Sequence, residues 1–90
     1  MHVILTRLTR GGPPSGAGVA VLIEDLLWTH AVAATGLEHI RARPTPEGLD
    51  VYLFIDAPDE PRALAQVRDL LVRARGAINA QGHEAAALID

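Results

Sequence analysis

The sequence predicts a small α+β domain in which helices cover one face of an antiparallel sheet. Three observations indicate this class: an apolar, β-rich segment at residues 49–57, a second one near the N-terminus, and amphipathic helical patterns after each of them. The 90 residues, of which 49% are hydrophobic and 21% charged, suffice for one globular domain with a thin core. We therefore expect residues 1–90 to form a single domain.

The segment at residues 49–57 predicts the central strand. β-branched and aromatic residues fill it, and Gly48 and Pro58 bound it. Side chains alternate along a strand, so one face is aliphatic while the other carries Tyr52 and Phe54. Because neither face is polar, both have to be covered, and helices on one side leave the aromatic face for a partner.

The chain before this strand predicts a strand, a loop and a helix. Residues 2–8 predict a strand that pairs with the central one. Residues 9–18 are rich in glycine and proline and predict a loop, in which Ser15 is a candidate helix cap. Residues 17–35 predict a long helix that ends at Gly36.

The first helix is predicted to have two apolar sides. At 100° per residue, the side that should pack on the sheet carries Val19, Leu22, Ile23, Leu26, His30 and Ala33. The opposite side carries Val21, Glu24, Asp25, Trp28 and Val32. Because monomers rarely expose a large apolar patch, the outward side with Val21, Trp28 and Val32 predicts a second contact surface.

Residues 37–48 predict a strand and a turn that complete a hairpin with the central strand. Residues 37–43 form the strand, in which Ile40 and Ala42 face the core. On its other face lie His39, Arg41 and Arg43. Residues 44–48 are turn formers.

A second helix and a final segment complete the pattern. Asp59 is the predicted N-cap of the helix. The helix is predicted to end at Gly76 or to run to Gly82. Its predicted buried side consists of Leu64, Val67, Leu71, Ala74 and Ile78. Residues 83–90 predict an edge strand or a helical stub. The resulting order, βαββα(β), is that of ferredoxin-like domains, with the first and third strands central and both helices on one face.

Catalytic and metal-binding signals are weak. The sequence has no cysteine and no lysine, Ser15 is its single serine, and covalent catalysis therefore lacks a candidate. The histidines are not at metal-ligand spacing: His2, His30, His39 and His83. Gly11 and Gly16 have P-loop spacing, but Ala17 and Gly18 replace the lysine and hydroxyl residue of that motif. We expect no catalytic residue, metal or cofactor.

Two family resemblances supply alternatives. The hairpin at residues 37–57 resembles that of small cofactor-independent monooxygenases and isomerases of the dimeric α+β barrel type, which implies a small-molecule pocket near His30 and Tyr52. Tyr52 and Phe54, beside His39, Arg41 and Arg43, resemble the stacking platform of RNA-recognition domains. The glycine-containing consensus of that family is missing, and a net charge of -3 disfavours nucleic acid.

The sequence thus predicts an interaction module without catalytic activity. It has no membrane-length apolar run and no signal-peptide pattern, so we expect a cytoplasmic protein with no membrane partner. We expect a homodimer, or a small accessory subunit of a larger bacterial assembly that also contacts another protein. The predicted contact residues are Tyr52, Phe54, Arg41, Arg43, His39, Val21, Trp28 and Val32.

Overall fold

The computed structural model describes the backbone of residues 1–10 and 17–89, and the side chains of residues 1–9 and 18–84. The predictions for residues 11–16, including the Ser15 cap and the glycine spacing of a P-loop, lie outside the described residues.

The described residues form an α+β domain with a four-stranded antiparallel sheet and two α-helices. In chain order the elements are β1 (His2–Arg10), α1 (Ala17–His30), a short 3-10 helix (Ala33–Thr35), β2 (Leu37–Thr45), β3 (Gly48–Ile55), α2 (Glu60–Ala80) and β4 (His83–Ile89). The strand order is β2-β3-β1-β4, which confirms that β1 and β3 are central and paired. Residues 83–89 form an edge strand against β1 rather than a helical stub.

One face of the sheet is covered by both helices. The side chains of β1 and β3 that face the helices are buried: Ile4, Leu8, Leu49, Val51, Leu53 and Ile55. The helices contribute Ala20, Ile23 and Leu27 from α1, and Ala63, Val67, Leu70, Ala74 and Ile78 from α2. Neither helix in the described part of the chain combines the length and hydrophobicity needed to cross a membrane.

The prediction of one helix over residues 17–35 is wrong. α1 ends at His30, and a separate 3-10 turn follows. The hydroxyl of Thr35, which is buried, accepts a hydrogen bond from the backbone N–H of Val32 at 3.1 Å, and this local bond replaces the helical one. Gly36 ends the turn with φ +66, so it acts as the predicted C-cap, but of the 3-10 helix.

The buried side of α1 also differs from the prediction. Ile23 is buried as predicted, but the residues beside it on the sheet-facing side are Ala20 and Leu27, while Leu22 is 52% exposed. Apolar residues occur on every side of α1, so the sequence pattern did not predict which side faces the sheet. In the structure a polar contact fixes the rotation of the helix, because the carboxylate of Glu24 accepts a hydrogen bond from the backbone N–H of Ala42 in edge strand β2 at 2.8 Å.

α2 is closer to its prediction. Asp59 caps it by accepting the backbone N–H of Arg62 at 2.9 Å, and the helix continues past Gly76 to Ala80. Of the predicted stripe, Val67, Ala74 and Ile78 are buried, whereas Leu64 and Leu71 are half-buried at its margins. Their neighbours Ala63 and Leu70 are the buried residues instead.

The strand bounds differ from the predictions by a few residues. β1 continues to Arg10, β2 continues to Thr45, and β3 begins at Gly48 and ends at Ile55. Thr45 pairs with Gly48, so residues 46 and 47 form the turn. Gly48 is required there, since a Cβ atom would overlap the carbonyl oxygen of Leu8 on the neighbouring strand.

Candidate interaction surfaces

On the face of the sheet that the helices do not cover, β1, β3 and β2 form three cross-strand rows of side chains, and β4 continues this face beyond β1. β3 supplies the middle residue of each row, β1 one neighbour and β2 the other. The rows are Val3–Phe54–His39, Leu5–Tyr52–Arg41 and Arg7–Asp50–Arg43. We call these nine residues the open face. It runs from an aromatic and aliphatic end to a charged end.

The aromatic end of the open face is partly exposed. Phe54 and Tyr52 are half-buried, although Leu53 between them is fully buried on the covered face. The Phe54 ring lies against the His39 ring, with centroids 5.2 Å apart and planes tilted by 60°. Val3, on the other side of Phe54, is 45% exposed. The structure therefore brings Tyr52, Phe54 and His39 together with β1 residues that the sequence did not indicate.

The charged end of the open face carries more arginine than carboxylate. Arg7 and Asp50 form a cross-strand ion pair of 3.4 Å. Arg43 in the same row and Arg41 in the next, beside Tyr52, are exposed, and neither has an ion-pair partner among residues 1–9 and 18–84. With three arginines and one aspartate, the nine residues of the open face have a formal charge of +2, and the exposed Glu84 of β4, opposite Thr9, adds one carboxylate next to them.

A second surface lies on the outward side of α1 and just after it. Val21 is 54% exposed, Trp28 45% and Val32 42%. Val21 and Trp28 are seven residues apart and therefore lie on the same side of the helix, with Asp25 between them. We call Val21, Leu22, Asp25 and Trp28 the α1 outer surface. Leu22 was assigned to the core by the sequence pattern; a helix with apolar residues on every side was the available signal that some would remain exposed.

His30 and Tyr52 do not share a pocket within one chain. His30 is at the end of α1, on the covered side of the sheet, while Tyr52 alternates with buried Val51 and Leu53 and so points to the open face. The Nδ1 atom of His30 lies 2.9 Å from the carbonyl oxygen of Leu26, which accepts its hydrogen bond.

A cavity of about 380 Å³ lies elsewhere, at the end of β1 and beside the β2–β3 turn. Its lining is Arg7, Leu8, Thr9, Thr45, Glu47, Leu49 and Asp50, and neither His30 nor Tyr52 belongs to it. Within the described ranges, no group of three or more histidine, aspartate or glutamate residues is placed to hold a metal ion.

Two aspartates that follow β3 make local hydrogen bonds. The Asp59 carboxylate caps α2, and the backbone N–H of Asp56 donates to the Gly36 carbonyl at 2.8 Å. The side-chain amide of Gln66 donates to the carbonyls of Thr35 at 2.8 Å and Asp56 at 3.2 Å. This junction ties the segment before β2, the end of β3 and α2 together.

Comparisons of the chain with protein-family models, with curated proteins and with solved structures found no match.

Proposed function

We propose that the chain is a non-catalytic protein–protein interaction module that associates through its open face, as a homo-oligomer or as a small accessory subunit. The observation that carries this proposal is that Tyr52 and Phe54 are only partly buried on the open side of a central strand, where Val3 and Leu5 flank them. Aromatic and arginine side chains together are the composition that protein interfaces favour. Large apolar patches on soluble proteins are typically contact sites.

We further propose that the domain is ferredoxin-like. The strand order β2-β3-β1-β4, with all neighbours antiparallel, supports this assignment. The helices follow β1 and β3, as in the split β-α-β pattern, and the short 3-10 helix is an addition before β2. In such a domain one sheet face is left without helices, so the fold itself supplies the contact surface.

The local geometry favours a module over an enzyme of the dimeric α+β barrel type. The His30 ring is engaged by the Leu26 carbonyl, and the sheet lies between that ring and Tyr52. The cavity beside the β2–β3 turn does not include either residue. A small-molecule partner and a cytoplasmic location stay predictions from the sequence.

The same open face carries the RNA alternative, which the charge of the whole chain disfavours. Asp50 pairs with Arg7, so that two of the three arginines of the open face are left for phosphate contacts. The rest of the chain is acidic, since the total charge is -3. A titration with single-stranded oligonucleotides at two salt concentrations separates the alternatives, because phosphate contacts weaken steeply with salt.

The test of the proposed function is the solution mass of a Phe54→Asp variant. A carboxylate buried at the centre of an interface is strongly unfavourable. Loss of a hot-spot residue costs at least about 2 kcal/mol of binding, which is about 30-fold in the dissociation constant. Light scattering should show the unmodified chain above its monomer mass of 9.6 kDa and the variant at that mass.

Val72→Asp on α2 is the matched control, because Val72 is 65% exposed and lies away from the open face. It should leave the mass unchanged. Circular dichroism verifies that both variants are folded. A folded Phe54→Asp variant with the mass of the unmodified chain would contradict the proposal.

A further inference from the structure

The open face and the α1 outer surface have opposite charges. The α1 outer surface contains Asp25 and no arginine and so has a formal charge of -1, since the Glu24 carboxylate is bonded to the Ala42 backbone instead. Asp25 is exposed and has no ion-pair partner among the residues whose side chains are described. The open face has a charge of +2, and its Arg41 and Arg43 also lack such a partner there.

The two surfaces also match in apolar chemistry. The α1 outer surface presents Val21 and Trp28 on one side of Asp25 and Leu22 on the other, each about half exposed. The open face presents Val3, Leu5, Tyr52 and Phe54 in adjacent rows. A helix packed on a sheet through such residues is the arrangement that the covered face already has, where Ile23 and Leu27 of α1 belong to the same buried cluster as the β3 side chains.

The two surfaces lie on opposite sides of the molecule, because α1 packs on the covered face of the sheet. They are therefore unable to meet within one chain. A contact between them joins the α1 outer surface of one copy to the open face of another.

We infer that the open face binds α1 of a second copy, so that copies associate head to tail. This inference rests on the proposed association through the open face. Trp28 packs on Phe54, and Asp25, one turn away along the helix, faces Arg41 in the adjacent Tyr52 row. The contact removes both apolar surfaces from water at once and pairs Asp25 with an arginine, whereas neither has an ion-pair partner among the described side chains.

A symmetric dimer of two open faces is disfavoured by charge. It brings the three arginines of one open face against the three of another, and like charges across an interface are unfavourable. A head-to-tail contact has different surfaces on its two sides, so each copy keeps one surface of each kind available. Such heterologous contacts produce closed rings or filaments rather than dimers that stop at two copies.

Mixing two blocked variants tests the inference. Phe54→Asp blocks the open face and keeps the α1 outer surface, whereas a double variant, Val21→Asp with Trp28→Asp, blocks the α1 outer surface and keeps the open face. In a head-to-tail assembly each variant alone is monomeric. An equimolar mixture contains one intact pair of surfaces and should form a one-to-one complex with twice the mass of 9.6 kDa.

The other arrangements give different results. If two open faces pair, the double variant alone is dimeric and the mixture contains no mixed complex. If two α1 outer surfaces pair, the Phe54→Asp variant alone is dimeric, which overturns the proposed function as well. If the double variant is dimeric and Phe54→Asp is monomeric, the head-to-tail inference fails while association through the open face stands.

Two controls keep the experiment decisive. Tyr52→Asp replaces Phe54→Asp if that variant is unfolded by circular dichroism, since Tyr52 lies in the next row of the open face. Val72→Asp, on α2, should self-associate to the same mass as the unmodified chain. Mixing it with the unmodified chain should give no further complex. Absence of a complex in a mixture of two folded, monomeric variants would overturn the inference.

Discussion

The two helices lie on the same face of the sheet, but their outward sides differ in chemistry. α2 exposes mostly charged residues: Arg62, Arg68, Asp69, Arg73 and Arg75. Its Asp69 and Arg73 form an ion pair of 2.8 Å one turn apart, and Val72 is its large exposed apolar residue. α1 exposes Val21, Leu22 and Trp28 instead.

The outward side of α2 is therefore suited to water, whereas the outward side of α1 is suited to a partner. Both helices bury equivalent stripes, so folding alone gives no reason for an apolar outward side on one of them. Among the described residues, the α1 outer surface and the open face are thus two places where several apolar side chains lie beside charges that have no ion-pair partner there, whereas Val72 is a single exposed apolar side chain on α2.

The largest expected effect is a loss of stability that distinguishes the buried side of α1 from its exposed side. Ile23 is fully buried and its neighbour Leu22 is 52% exposed. Ile23→Ala should lower the free energy of unfolding by about 2–5 kcal/mol, because it removes core contacts and leaves a cavity. Leu22→Ala should change it by less than about 0.5 kcal/mol, as surface substitutions do.

Urea unfolding followed by circular dichroism measures both variants. All samples need one protein concentration, because association contributes to apparent stability. Equal losses for Leu22→Ala and Ile23→Ala would mean that α1 is rotated towards the stripe that the sequence pattern favoured.

A smaller effect is expected from alanine substitutions at two glycines, one after α1 and one inside α2. Gly36 has φ +66, and a Cβ atom there would lie 2.5 Å from the Asp56 carbonyl oxygen and 2.9 Å from the Gln66 amide nitrogen. Gly36→Ala should therefore destabilise the fold by about 1–3 kcal/mol. Gly76 lies in the interior of α2 with no neighbouring atom near its Cβ position.

The same substitution at Gly76 should have the opposite sign. Gly76→Ala should stabilise the chain by about 0.5–1 kcal/mol, since alanine loses less backbone entropy in a helix. Thermal unfolding of the pair measures both shifts. A Gly36→Ala variant as stable as Gly76→Ala would show that the junction with Asp56 and Gln66 is not held as described.

The sequence predicted the elements best where one face of an element is decisively apolar or a cap is local. β3 is an example, since alternation placed Leu53 in the core and Phe54 opposite, and Asp59 caps α2 through a bond to a residue three positions away. These features depend on near neighbours in the chain.

The misassigned features depend on contacts between distant segments. The rotation of α1 is set by the bond from the Ala42 backbone to Glu24, 18 residues away. The separate turn between α1 and Gly36 is stabilised by Gln66 of α2, whose side-chain amide donates a hydrogen bond to the Thr35 carbonyl. Such partners are adjacent only after folding, so the periodicity of residues along the chain does not indicate them. The open-face neighbours Val3 and Leu5 were missed for the same reason, because strand register decides which β1 residues flank Tyr52 and Phe54.

The central claim is that the open face is a contact surface, and the mass of the unmodified chain as a function of concentration tests it most directly. Sedimentation or light scattering should give a mass above 9.6 kDa that rises with concentration. A mass that stays at 9.6 kDa up to the highest concentration the chain tolerates would contradict association with further copies.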